Sequence, residues 1–306
     1  MLKSKSIRII ALLSVIVLFS TALVARPTSA LVSQNSTAWF WTSDTNAAAI
    51  AVGDVDGDGA NEIVSAGYYN DGLRFVTQLF IWNASTLVLE KTTTWYWIND
   101  TTITSVALAN ITGGPGLNIV TGGSFFDGNR WIAQVIVWNG VSLVAEKIAT
   151  WYWFGDTQIS SVAVANVTGG TTLDIVTGGA FFDNTRWIAQ LIVWNSSTMA
   201  AQKITAWYWT SDTYINSVAV ANVTGGTSLD IITAGSYNDG LRNNAQIIGW
   251  TGSTLTASTF ATWFVSSDTR ANSVAVANIG VLSNRVIAGG SYFDGVRENA
   301  QITVWG

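Results

Sequence analysis

Ser161-Val-Ala-Val-Ala165, Asp174-Ile-Val-Thr-Gly178, Trp187-Ile-Ala-Gln-Leu-Ile-Val-Trp194 and Lys203-Ile-Thr-Ala-Trp-Tyr-Trp209 are four short apolar segments in succession. Each is rich in β-branched and aromatic residues and has the length of a strand. Asn166-Val-Thr-Gly-Gly170, Phe182-Asp-Asn-Thr-Arg186 and Asn195-Ser-Ser-Thr198 separate them, and these residue types close tight turns. No helical period competes with the pattern.

The same unit recurs along the chain. Trp41, Trp97, Trp153 and Trp209 stand 56 residues apart, with Val265 completing the register. Trp82, Trp138, Trp194 and Trp250 keep the same step, as do Gln78, Gln134, Gln190 and Gln246; one deletion then brings in Trp305 and Gln301. A period of this length marks a repeat architecture, and four strands per copy are what a propeller blade requires. The expected fold is therefore all-β: a closed five-bladed β-propeller of four-stranded blades. Its repeats cover about 46–101, 102–157, 158–213, 214–269 and 270–306 plus 37–45. Thr37-Ala-Trp-Phe-Trp41 matches a fourth strand and the last copy stops after a third, so this N-terminal strand is expected to complete the last blade. Closure of that kind would hide the unpaired strand edges.

Lys3, Lys5 and Arg8, the apolar run Ile9 to Ala25 and the small-residue exit Thr28-Ser29-Ala30 have the layout of a secretory signal peptide over residues 1–30. The alternative is an uncleaved membrane anchor, since the run approaches the roughly 20 residues needed to span a bilayer. Residues 31–306 then form the propeller, secreted or held at the cell surface. Removing residues 1–30 leaves ten Lys and Arg against 19 acids, a net charge of −9, which argues against nucleic acid as a partner. Membrane contact is expected only through an uncleaved N-terminal segment. Asn-x-Ser/Thr triplets at Asn35, Asn83, Asn99, Asn110, Asn166, Asn195 and Asn222 suit an exported glycoprotein.

The chain contains neither Cys nor His. Disulfides, thiolate or imidazole metal sites and nucleophile–histidine catalysis are excluded together. Any metal or acid chemistry rests on carboxylates.

Asp54-Val-Asp-Gly-Asp-Gly59 lies between the strands Ala48 to Val52 and Glu62 to Gly67. Three alternating aspartates in a glycine-punctuated loop offer the hard oxygen ligands that calcium prefers, and their mutual repulsion asks for a cation. Position twelve is Ser65 and strands flank the loop, so it is not an EF-hand. The loop and its flanks resemble the FG-GAP or VCBS-type repeats of integrin-α-like β-propellers, a resemblance that recurs over residues 46 to 306. It implies a calcium ion held by the side chains of Asp54, Asp56, Asp58 and Glu62 and the carbonyl of Ala60. The other copies depart from the motif: Asn110, Thr112 and Asn118; Asn166, Thr168 and Asp174; Asn222, Thr224 and Asp230; and Asn278 in a shortened loop. There Asn and Thr are expected to close the turn by side-chain to backbone hydrogen bonds, without metal.

Two further loops repeat in all five copies. One carries Asp44, Asp100, Asp156, Asp212 and Asp268, each followed by Thr. The other carries the pairs Asp71 and Arg74, Asp127 and Arg130, Asp183 and Arg186, Asp239 and Arg242, and Asp294 and Arg297. Both sets are expected on one face, opposite the Asp54 loop. With Tyr68, Tyr69, Phe125, Phe126, Phe181, Phe182, Tyr237, Tyr292 and Phe293 they could receive carbohydrate or a peptide carboxylate. The alternative role is structural: each Asp caps its own turn and each Arg ties neighbouring blades together. The tryptophans are read first as packing between blades, with their N–H groups on backbone carbonyls.

The leading functional expectation is a non-enzymatic adhesion or binding module for an extracellular carbohydrate or protein. A glycoside hydrolase or lyase would need an asymmetric carboxylate pair, and the acids outside the main pattern, Glu62, Glu90, Glu146 and Glu298, do not form an evident one. A structural surface-layer protein is the third expectation.

Overall fold

The computed structural model describes residues 35–279 and 282–306; the expected signal segment, residues 1–30, lies outside the described residues. Alternating apolar residues and Asn/Gly turns fold the described chain into five antiparallel meanders, with no helix among the described residues. The first sheet contains β1 (Thr45–Gly53), β2 (Glu62–Asn70), β3 (Phe75–Asn83) and β4 (Leu89–Trp95). The second contains β5 (Thr101–Ala109), β6 (Asn118–Phe126), β7 (Trp131–Trp138) and β8 (Ala145–Trp151). The third contains β9 (Thr157–Ala165), β10 (Asp174–Phe182), β11 (Trp187–Asn195) and β12 (Ala201–Trp207). The fourth contains β13 (Thr213–Ala221), β14 (Asp230–Asn238), β15 (Asn243–Thr251) and β16 (Thr256–Trp263). The fifth has three strands, β17 (Thr269–Ile279), β18 (Leu282–Phe293) and β19 (Glu298–Trp305).

Every first strand carries a bulge at the same point, skipping Ala48, Thr104, Ser160, Asn216 and Asn272 in the pairing register. The bulge pushes a backbone carbonyl against the second strand. A Cβ on Gly67, Gly123, Gly179, Gly235 or Gly290 would collide with the carbonyl of Asn46, Thr102, Gln158, Tyr214 or Arg270. Glycine is therefore required opposite each bulge, where any larger residue would force the two strands apart.

The sheets stack in chain order through β1, β5, β9, β13 and β17. Four apolar cores result, each shared by two consecutive sheets. Val64, Leu79 and Ile81 of the first sheet meet Ile103, Ile119 and Ile136 of the second, for example. Tryptophan pairs staple these joints: Trp95 on Trp138, Trp151 on Trp194, Trp207 on Trp250 and Trp263 on Trp305, with ring centroids 4.4, 4.6, 4.8 and 5.3 Å apart. Burying one such aromatic or leucine side chain stabilises the fold by roughly 2–3 kcal/mol. The indole N–H groups of Trp82, Trp138, Trp194 and Trp250 do not reach backbone carbonyls as expected. They donate to the hydroxyls of Ser65, Thr121, Thr177 and Thr233 on the neighbouring second strand.

The ends of the stack depart from the expected closed ring. Residues 37–41 form no strand, and β19 pairs with β18 alone, so the last sheet is not completed by the N-terminal segment. Trp39 instead lies on Phe80 and Trp82, at 5.4 and 5.1 Å, as Trp95 lies on Trp138. Aromatic packing on the first sheet holds the segment there without any strand hydrogen bonding to the fifth. Ile50 and Val52 of the first sheet and Ile302 and Val304 of the fifth are left exposed.

Candidate functional site

The two repeated loops come together at each sheet boundary. Asp71 Oδ1 accepts the N–H groups of Leu73 and Arg74 at 2.8 Å, and its own N–H donates to the Arg74 carbonyl. The same closed turn forms at Asp127, Asp183, Asp239 and Asp294. Its second residue adopts positive φ, supplied by Gly72, Gly128, Gly240 and Gly295 and by Asn184 in the third sheet. The backbone N–H groups hold the Asp71, Asp127 and Asp183 carboxyls below the usual carboxylate range. For Asp239 and Asp294 the first cause is the side-chain amide of Asn244 or Asn299.

The arginine of each turn reaches the connector that leads from its own sheet to the next. The Arg74 guanidinium sits over the Tyr96 ring at 4.5 Å and donates to the Ile98 carbonyl at 2.8 Å. Arg130 over Tyr152, Arg186 over Tyr208 and Arg242 over Phe264 repeat the stack at 4.6, 4.5 and 4.4 Å. Asp100, Asp156, Asp212 and Asp268 close the joint from the other side, accepting the N–H of Phe75, Trp131, Trp187 and Asn243 at 2.7–2.8 Å. The ring under each arginine was not singled out from the sequence. The 56-residue recurrence of Tyr96, Tyr152, Tyr208 and Phe264 was the available signal. Thus the residues read as a ligand face occupy one end of the strands. Arg74, Arg130, Arg186, Arg242 and Asp100, Asp156, Asp212, Asp268 are engaged at the joints. Asp71, Asp127, Asp183, Asp239 and Asp294 are engaged within their own turns, and Arg297 is exposed. Asp44, at the start of the stack, is exposed.

The Asp54 loop lies at the opposite end of β1 and β2. Carboxylate oxygens of Asp54, Asp56 and Asp58 lie within 4.8 Å of one another. Asp54 accepts the N–H groups of Gly57 and Gly59 at 2.6 and 3.0 Å, and Asp58 that of Ala60 at 2.7 Å, so the loop itself orients the acids. Lys91 Nζ, 3.7 Å from Asp56, is the nearby cation. The three hard carboxylate donors, which converge on one another, fit a calcium ion, with the Lys91 ammonium as its competitor at Asp56. Glu62 does not join this group: it is buried, and its Oε2 accepts the Val55 N–H at 2.9 Å. Burial first, and then the charges of Asp56, Glu90 and Asp58, push its carboxyl above the usual range against that hydrogen bond.

A second kind of feature lies at the outer rim of the joints. Trp151, Tyr152, Trp153, Ile192, Trp194, Ala201 and Ile204 line a hollow of about 300 Å³. Trp207, Tyr208, Trp209, Ile248, Trp250, Ala257 and Phe260 line its counterpart, of about 180 Å³, one repeat further on. Both are almost wholly apolar, yet Tyr152, Ile204, Tyr208 and Phe260 are exposed.

No protein-family model matches the chain, and no curated protein does. Among solved structures it is similar to the Dos1 propeller, with 14% identity, a TM-score of 0.45, 76% of this chain covered and 52% of the other. It is also similar to Saccharomyces cerevisiae Sqt1, with 11% identity, a TM-score of 0.45, 80% of this chain covered and 60% of the other. The chain spans about half to three fifths of the length of those two chains.

Proposed function

We propose that this chain is an exported, non-enzymatic binding module, secreted or displayed at the cell surface, that engages a protein partner through the aromatic hollows between its sheets. Calcium at Asp54, Asp56 and Asp58 braces the first sheet, in keeping with the resemblance to integrin-α-like repeats. The observation that carries the reading is the repeated hollow: large apolar side chains stay exposed around Trp153 and Trp209, one repeat apart. Contiguous apolar area of this kind marks an interaction site, and aromatic residues are the preferred anchors of protein interfaces. The acids support a non-catalytic role. Glu90 and Glu146 accept the side-chain amides of Asn83 and Asn139, and Asp174 and Asp230 accept backbone N–H groups of their own loops.

Ile204→Asp and Phe260→Asp test the reading, because both residues are exposed rims of the hollows and the cores do not depend on them. Purified extracellular proteins and soluble glycans of the host are passed over the immobilised chain. The expected result is a protein ligand whose affinity falls tenfold or more in either variant, about 1.4 kcal/mol, with unchanged melting. Retention of glycans alone transfers the reading to a lectin; a protein ligand indifferent to both variants removes the hollows from it.

A further inference from the structure

The four joints share one set of contacts, and the ends of the stack carry its unmatched halves. At each internal joint an arginine covers a ring of the connector to the next sheet, and the following N–H donates to the aspartate at the end of that connector. The fifth sheet presents Arg297 and Glu298 at these positions, and the first sheet presents Phe40 and Asp44; all four are exposed. The apolar faces match in the same way. Leu79, Val135, Leu191 and Ile247 are buried by the sheet that follows, whereas Ile302, at the same register position, is 77% exposed and Val304 55%. On the first sheet Ile50 and Val52 are 70% and 59% exposed, whereas Val162 and Val218, at the register of Ile50, are buried and Val164 and Val220, at that of Val52, are partly buried. Even the strand hydrogen bond has its halves. Ser105, Ser161 and Ser217 accept the N–H of Val162, Val218 and Val274 at 3.0–3.1 Å, and Ser273 and Ile50 stand at the equivalent places.

Residues 37–41 complete the correspondence. They rest on the first sheet as a fourth strand of a preceding sheet would, while the outer edge of β19 lacks a fourth strand. Gln78 Oε1 is buried there without a partner, whereas Gln134, Gln190, Gln246 and Gln301 each accept an indole N–H, from Trp97, Trp151, Trp209 and Trp263; Trp39 Nε1 is unpaired as Trp95 and Trp207 are at internal joints. A buried amide oxygen left without a donor costs free energy and marks an incomplete seat.

We propose that these faces dock on each other between two copies of the chain, head to tail, with residues 37–41 of one copy becoming the fourth strand beside β19 of the other. Meeting within one chain would require the four internal joints to change their common geometry, because as built β1 and β17 do not pack on each other. A second copy takes up a fifth joint of the same kind and deforms none. The contact is heterologous, so each copy keeps one face of each type and assembly proceeds until a ring of copies closes or a filament grows.

Sedimentation velocity on the full chain across a wide concentration range tests this, with Ile50→Lys and Ile302→Lys as variants that block one face each at exposed positions. The wild type should associate, and either lysine alone should weaken association on the order of tenfold or more by burying an unpaired charge. An equal mixture of the two variants should stop at dimers, since one competent face of each type remains. A wild type that stays monomeric at every concentration overturns the proposal, and melting lowered by Ile302→Lys would then assign both faces to one closed chain. Association that survives in both single variants overturns it by pointing to another surface.

Discussion

The loop at residues 54–62 and its counterpart at 166–174 connect equivalent strands yet settle their polar groups differently. In the third sheet Asp174 is fully buried, and its Oδ2 accepts the N–H groups of Val167 and Thr168 and the Thr168 hydroxyl at 2.9–3.0 Å. Gln202 donates to its other oxygen at 3.1 Å. In the first sheet the longer Glu62 takes one of those N–H bonds, and the threonine is replaced by Asp56, which repels it. One turn is closed by hydrogen bonds inside the chain. The other has its own hydrogen bonds but collects three further acids, where the proposed calcium would sit.

Asp174→Ala should have the largest effect on this comparison. It strips two buried N–H groups and a hydroxyl of their acceptor, and urea denaturation should show a loss of about 3 kcal/mol. A loss below about 1 kcal/mol would mean that the loop is held by packing rather than by the acid. Next in size is the ion itself. At a calcium concentration one hundred times its Kd, binding stabilises the fold by about 2.7 kcal/mol, so a chelator should lower the melting temperature of the wild type and leave that of Asp54→Ala unmoved.

The repeat made the strands legible, because period and turn residues agreed at every copy. Strand β12 ends at Trp207 rather than Trp209, since the Trp209 N–H turns to the Thr213 hydroxyl and leads the chain into the next sheet. The state of the stack's ends was not legible: Asp44 and Arg297 look like their counterparts in sequence, and only the absence of an adjoining sheet distinguishes them. Glu62 was misleading for a related reason. Its place in the resemblance suggests a metal ligand, while its buried carboxylate accepts the Val55 N–H, as the shorter Asp174 and Asp230 accept the equivalent N–H groups of Val167 and Val223.

Glu62→Gln sharpens the comparison at smaller scale. The folded carboxyl titrates above the usual value of 4.5, so the folded state prefers the protonated form and Glu62 costs stability as the pH rises through its folded pKa. Without calcium the Gln variant should equal the wild type in stability below pH 4.5 and exceed it modestly at neutral pH. A constant difference across that range would place the effect in packing.

The smallest effect belongs to the exposed aspartate turns. Asp183 titrates below the usual 3.8, so its contribution is present above that value and fades as the pH falls through its folded pKa. Asp183→Ala should shift thermal unfolding at neutral pH by only a fraction of the Asp174→Ala shift, with the gap to wild type closing in acid.

Calorimetric titration of calcium into the chelator-treated chain tests most directly the claim that one turn of the repeat needs a cation and its counterparts do not. One site per chain, abolished by Asp54→Ala and unaffected by Asn166→Ala, is the expected result. No binding, or binding that survives Asp54→Ala, would contradict it.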